Sequence, residues 1–353
     1  MKIAVEAYFN NNLGDDLFLE ILVNRYPNAQ FDFILCEREA CKAFNNHDRV
    51  KFVSRKTVFF NILQYDGYVF IGGSLFQEPE SWRKEWKKFN TTVTWFKLFQ
   101  KKTFVLGCNF GPYKTEEYVN SYVKTFKKLT HMTVRDEHSF VILKDRGINL
   151  ELKPDIVLSM ENAQLEKKQS MIGMSIIDWP MSTNTESYID LHVKLITKLI
   201  SEKKQVRLFA FQNTDGVSDL KVINQIISKI DNADQTIEVI SYDGDITNFI
   251  NKFSECYSIV TSRFHSLILA LLNCQIIYPI VYSDKTINTM KYLGLDIDYV
   301  KMEDINECYI NKMILTLCHH EQNYKKNRID QVSKNANGHF SFVDKLYREE
   351  QGQ

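Results

Sequence analysis

Short apolar runs alternate along the chain with stretches whose apolar residues recur at helical spacing. That alternation predicts parallel sheets covered by helices. In the first half, strands are expected over residues 2–7, 31–36, 68–71, 103–107 and 133–134. Leu17, Leu19, Ile21 and Leu22 supply the apolar positions of a helix over 16–26. A second helix is expected over 140–145, with Gly147 as the residue that ends it. The pattern then breaks, because residues 161–170 are polar and rich in Gln, Glu and Lys. It restarts with strands over 171–176, 206–211, 237–241, 276–281 and 298–300, and helices over 186–202, 219–229 and 245–253. Two α/β units of similar size follow, read as Rossmann-like domains facing a cleft: residues 1–160, residues 171–320, and a polar tail 321–353, for which the pattern leaves a crossing back to the first domain open.

The central apolar pair of the second half is the most informative. Tyr257-Ser258-Ile259-Val260 reads as a buried strand, and the run from Leu267 to Leu272 as a buried helix. Between them lies Ser262-Arg263-Phe264-His265-Ser266. A strand end feeding a helix N-terminus is where open α/β sheets place ligands, and free N–H groups there favour an anion. Arg263 supplies a fixed charge, His265 a proton carrier, and Ser262 and Ser266 two hydroxyls. The plainer alternative makes His265 a structural hydrogen bonder.

Four further segments carry candidate chemistry. Asn12-Leu13-Gly14-Asp15-Asp16 follows the first strand; Gly14 permits a tight turn and Asp15 can cap the helix, or the loop holds a ligand. Gly72-Gly73-Ser74 follows another buried strand, where paired glycines let a ligand approach the backbone and Ser74 can cap a helix or donate to an oxyanion. It is neither a Walker loop nor GxGxxG. Arg135, in Arg135-Asp136-Glu137-His138-Ser139, can clamp a carboxylate or phosphate, or pair internally with Asp136 or another acid. Lys285, in Tyr282-Ser283-Asp284-Lys285, reaches the same cleft or is a solvated surface lysine.

Composition narrows the classes. Forty-four basic and 44 acidic residues give zero formal charge, which argues against a dedicated nucleic-acid binder. No apolar run approaches the roughly 20 residues of a membrane span. The N-terminal residues read as a strand rather than a signal peptide. Seven cysteines without a CxxC pair fit reduced thiols in a cytoplasmic protein. Cys318-His319-His320 has no partner cluster at zinc-type spacing, so no metal site is expected. On residues 82–96, Trp82, Trp86, Phe89, Val93 and Phe96 share one helical face beside Arg83, Lys84, Lys87 and Lys88. Such a helix packs its aromatics inward, stacks on sugars, or rests on an anionic membrane.

Together the five motifs, spread over residues 12–285, resemble the polysaccharide pyruvyltransferase family. That family has Asn-x-Gly-Asp, a Gly-rich turn, Arg-Asp-x-x-Ser, Arg-x-His and Tyr-x-x-Lys in this order. Ser74 departs from it, since many relatives carry a third Gly there. The resemblance implies a glycosyltransferase-B-like fold and transfer of pyruvate from phosphoenolpyruvate to a sugar of a surface glycan or its lipid-linked precursor, forming a cyclic ketal. Arg135, Arg263 and Lys285 would hold the donor, His265 would move a proton, and Asn12, Asp15, Gly72, Gly73 and Ser74 would line the site. Asp15, Asp16 and Glu78 are candidate bases. Neither a metal nor a cofactor is implied, and the enzyme would work in the cytoplasm or at the inner membrane face. A nucleotide-sugar glycosyltransferase on the same fold is the second reading, and a non-catalytic sugar-binding subunit the third.

Overall fold

The computed structural model describes every residue except 36, 162–164, 180–184, 232–235, 319–323 and 353. Expectations for Cys36, His319 and His320 therefore lie outside the described residues. The chain divides into two compact units. One comprises residues 1–10, 15–159 and 333–353, the other residues 11–14 and 160–332.

The first unit holds a seven-stranded parallel sheet in the order β3-β2-β1-β4-β5-β6-β7. Its strands are β1 (Lys2–Glu6), β2 (Gln30–Ile34), β3 (Val50–Val53), β4 (Gly67–Ile71), β5 (Lys102–Cys108), β6 (His131–Val134) and β7 (Leu150–Leu152). The order runs one way from β1 to β3 and the other way from β4 to β7. Its switch point therefore lies between β1 and β4, where chain segments diverge to opposite faces and leave a crevice. β3 and β7 are edge strands that the apolar pattern did not reveal. Each is short and half-open, so neither needs a continuous apolar run.

The second unit repeats the plan with β12-β9-β8-β13-β14-β15, again all parallel. These are β8 (Lys168–Ile176), β9 (Gln205–Ala210), β12 (Ile237–Ser241), β13 (Cys256–Thr261), β14 (Ile276–Val281) and β15 (Val300–Lys301). A small hairpin, β10 (Asn213–Thr214) with β11 (Val217–Ser218), follows β9. The switch point falls between β8 and β13.

The helix Trp82–Leu98 settles the aromatic stripe. Trp82, Phe89, Val93 and Phe96 are buried in the first unit's core with Tyr68, Tyr122 and Phe126. Trp86 donates to the Ser121 carbonyl at 2.9 Å. This face is therefore spent on packing and is not offered to sugars or a membrane.

Among the described residues three histidines are fully buried, His131 and His339 in the first unit and His192 in the second; His192 and His339 are held by hydrogen bonds at their ring nitrogens. His192 Nδ1 meets the Tyr188 carbonyl at 2.8 Å. His339, from the C-terminal segment of the first unit, bridges Thr133 Oγ1 at 2.7 Å and the Pro154 carbonyl at 2.5 Å. Burial pushes both imidazoles from 6.5 down to about 4. A histidine depressed in the folded state binds its proton more readily when unfolded. Stability is thus intact above pH 6.5 and is lost as pH falls toward 4, on the order of 3 kcal/mol for each group. Urea midpoints should fall across that window, and less steeply in His339→Gln. Equal slopes for both proteins would remove His339 as a cause.

Candidate active site

The second unit builds its site at the switch point. The last residue of β13, Thr261, leads through Ser262 and Arg263 into the helix Phe264–Leu272. That helix is buried along its whole length except at His265, so the sequence there must be apolar at nearly every position. The turn is held from β8. Ser175 Oγ accepts from the backbone N–H of Ser262 at 2.8 Å and of Arg263 at 3.2 Å. Ser266 Oγ donates to the Arg263 carbonyl at 2.5 Å and meets Ser175 Oγ at 2.6 Å. Ser262 Oγ accepts from the Tyr188 hydroxyl at 2.8 Å. Ser262 and Ser266 are therefore buried members of the scaffold, which corrects the expectation that their hydroxyls face a ligand.

Arg263 is gripped from behind. Its Nε donates to Asp219 Oδ2 at 3.0 Å and its Nη2 to Asp219 Oδ1. Asp219 is fully buried and also accepts from the backbone N–H of Asp178 at 2.8 Å, Phe211 at 3.0 Å and Gln212 at 3.1 Å. Burial pushes its carboxyl above the usual carboxylate range, while Arg263 and these N–H groups oppose the shift. The Arg263 side chain stays 14% exposed, so the guanidinium is fixed at one edge and open at another.

Gln212 joins two distant motifs. Its Oε1 accepts from Arg263 Nη1 at 3.4 Å and from Asn12 Nδ2 at 3.0 Å. Asn12 Oδ1 in turn accepts from the Gly14 N–H at 2.9 Å. Asn12 thus caps the helix Leu13–Arg25, which starts earlier than expected; Asp15 lies inside its first turn and is not the cap. Gly14 lies against His265, and a Cβ added there would sit 1.9 Å from His265 Nδ1. Lys285, in the first turn of the helix Asp284–Leu293, places Nζ 4.2 Å from the Phe264 ring centroid. Tyr282 packs on Trp179 with ring centroids 4.7 Å apart. Segments around residues 12, 212, 263 and 285 are thereby brought together.

The first unit builds a second cluster beside its own switch point. Gly72 and Gly73 follow β4, and Gly72 takes φ +146°, a conformation other residues rarely adopt. Gly73 has another reason to be glycine. Its Cβ would fall 2.0 Å from Arg135 Nη2. Arg135 donates from Nε to Asn109 Oδ1 at 2.8 Å and from Nη1 to Asp155 Oδ2 at 2.5 Å. With both charged side chains 2% exposed, Arg135 braces the glycine turn from below instead of presenting its charge to a ligand. The internal ion pair is the reading that holds, with Asp155 and not Asp136 as the acid. Asp136 caps the helix Glu137–Leu143, accepting from the Ser139 N–H at 2.9 Å. Ser74 is exposed in a loop with no helix after it, so its capping role falls away.

Two candidate bases change standing. Asp16 is fully buried. Desolvation pushes the Glu78 carboxyl up, but hydrogen bonds from the Thr115 hydroxyl and from the N–H groups of Lys114 and Thr115 together outweigh it and hold the carboxyl below the usual range. It fastens a loop and is a weak proton acceptor. Gln212, Asp219, Asn109, Asp155 and Ser175 were missed. All but Ser175 lie just past the end of a strand, and that position was their only signal.

Two Rossmann-like α/β units, each with clustered polar groups at its strand ends, define a glycosyltransferase-B-like protein. Solved structures share the fold. A UDP-GlcNAc 2-epimerase from Methanocaldococcus jannaschii matches with a TM-score of 0.65 at 10% identity, over 98% of this chain and 99% of that one. The S. aureus MnaA–UDP structure matches at 0.61 and 10% identity, over 99% and 97%. Acinetobacter baumannii MurG matches at 0.53 and 9% identity, over 100% and 99%. No curated protein matches the chain. The model of the polysaccharide pyruvyl transferase family matches residues 12–274, and the chain belongs to that family.

Proposed function

We propose that this enzyme moves pyruvate from phosphoenolpyruvate to a sugar of a surface glycan or its lipid-linked precursor, closing a cyclic ketal. The observation that carries this reading is the grouping of Arg263, His265 and Lys285 at the switch point of the second unit, in a member of the pyruvyl transferase family. Two fixed cations suit the carboxylate and phosphate of the donor, and the imidazole suits proton transfer. The second unit is the donor side in this reading. The first unit, with its Gly72-Gly73 turn, is the acceptor side.

His265, as imidazolium, gives its proton to the methylene carbon of the donor, leaving the central carbon electrophilic. One sugar hydroxyl adds there and releases its proton. The carbon–oxygen bond to phosphate breaks, with Arg263 and Lys285 stabilising the departing charge. A neighbouring hydroxyl then bonds to the same carbon and completes the ketal. Of the two hydroxyl protons, one restores His265 and the other leaves with phosphate. Arg135 acts indirectly, by supporting the glycine turn.

His265→Ala is expected to lower transfer by at least about 100-fold with the fold retained. Phosphoenolpyruvate should raise the melting temperature of the wild type, and Arg263→Ala should abolish the rise. The second reading, a nucleotide-sugar glycosyltransferase, draws on structural relatives solved with UDP. At about 10% identity they speak for the fold alone. A melting shift with uridine diphosphate sugars and none with phosphoenolpyruvate would favour it.

A further inference from the structure

The first unit carries a second surface that the transfer chemistry does not use. Phe60 is 89% exposed, Leu63 74%, Leu98 69% and Trp95 36%. These side chains belong to one connected region. Trp95 Nε1 donates to the Phe59 carbonyl at 3.4 Å, and the Trp95 ring lies 5.7 Å from Phe59 and 5.5 Å from Phe99. Lys101 Nζ donates to the Leu63 carbonyl at 3.3 Å, tying the turn after Leu98 to the turn before β4. Gly67 of β4 is paired with Lys102 of β5, so Leu63 and Leu98 flank the N-terminal ends of these strands. The Gly72-Gly73 turn is at the other end of β4.

Charge marks the same region. Lys97, Lys101 and Lys102 lie at this end of the helix and at the start of the strand after it, and no acidic residue occurs between Glu85 and Glu116, although the whole chain is neutral. The cations of the first helical turns lie toward the other end, where Arg83 pairs with Glu117 and Lys88 with Glu85. Lys56, four residues before Phe60 on the helix Arg55–Phe60, and Lys97, adjacent to Leu98, are exposed. Lys128 donates to Asn90 Oδ1 and Thr94 Oγ1, each at 2.9 Å, placing another cation against this helix.

Protruding apolar side chains among lysines fit a lipid surface better than a protein partner. Protein interfaces are depleted of lysine. An anionic leaflet attracts each nearby lysine, and tryptophan favours the headgroup layer. We propose that this edge of the first unit docks on an anionic membrane, with Phe60, Leu63 and Leu98 entering the headgroup layer and Trp95 and the lysines lying at its plane. The contact is peripheral, since no helix among the described residues is long and apolar enough to cross a membrane. The expected membrane contact thus moves from the buried face of the helix Trp82–Leu98 to its C-terminal end and the neighbouring turn. It does not depend on the donor chemistry.

Flotation of the full chain with vesicles of phosphatidylglycerol and phosphatidylcholine, against phosphatidylcholine alone, tests this directly. Binding is expected only with the anionic lipid and should weaken with salt. Phe60→Ser with Leu98→Ser should reduce partitioning at least about tenfold. Lys56→Gln and Lys97→Gln should each reduce it roughly fivefold. All four positions are exposed, so folding should survive, as melting curves would verify. Absence of binding at low salt would overturn the proposal, as would binding unchanged in the apolar double variant. A dimer in solution that Phe60→Ser and Leu98→Ser dissolve would also overturn it, in favour of a second copy of the chain.

Discussion

Gly14→Ala is expected to cost about 100-fold in transfer, although a methyl group is all it adds. The added Cβ would lie 1.9 Å from His265 Nδ1 and 2.6 Å from two ring carbons. No real contact is that short, so the imidazole must leave its position. Gly14 is in the first turn of the helix Leu13–Arg25 and has no left-handed backbone, so alanine itself is well tolerated there. Helix propensity even favours alanine by about 1 kcal/mol. A double-mutant cycle separates the effects. In a His265→Ala background, Gly14→Ala should do nothing further to activity and should stabilise slightly. Full activity in the single Gly14→Ala variant would end the claim that His265 acts from its present position.

Asp219→Ala should have the largest effect on stability. It leaves Arg263 without its counter-charge and three backbone N–H groups without an acceptor. Breaking a buried pair from one side costs about 3–5 kcal/mol. Arg263 keeps 14% of its side chain exposed, so water recovers part of this and about 3 kcal/mol is expected. Phosphoenolpyruvate binding should weaken as well, because the guanidinium loses the partner that orients it. Urea unfolding and the ligand-induced melting shift read the two consequences separately. A variant as stable as the wild type would mean that the pair adds nothing net. Asp219→Asn should be intermediate in stability, since the shape is kept while one amide hydrogen pair faces donors.

The two motifs that matter most to these experiments illustrate different kinds of legibility. Arg263 and His265 stand out in the sequence because a buried strand and a buried helix flank them, and burial writes itself as an uninterrupted apolar run. Asn12 and Gly14 were visible as a loop after the first strand, but their attachment to the second unit was not. That attachment is made by Gln212, 200 residues away, whose side chain is unremarkable in sequence. Arg135 shows the opposite error. A cation at a strand end reads as a ligand clamp until its partner is seen, and Asp155 follows twenty residues later in a segment without periodic signal.

Hydrophobic periodicity alone determined two α/β units, most of their strands and helices, and the short polar segments at the strand ends where chemistry belongs. Motif order added the family. Only the tertiary structure decided which of those polar groups are free to meet a ligand and which are spent on the scaffold. It gave Ser262 and Ser266 to the turn, Arg135 to Asp155, Glu78 to a loop, and the aromatics from Trp82 to Phe96 to the core. The physical reason is that periodicity records each residue's own burial, which is local. A hydrogen bond or ion pair depends on a second residue whose distance along the chain is arbitrary.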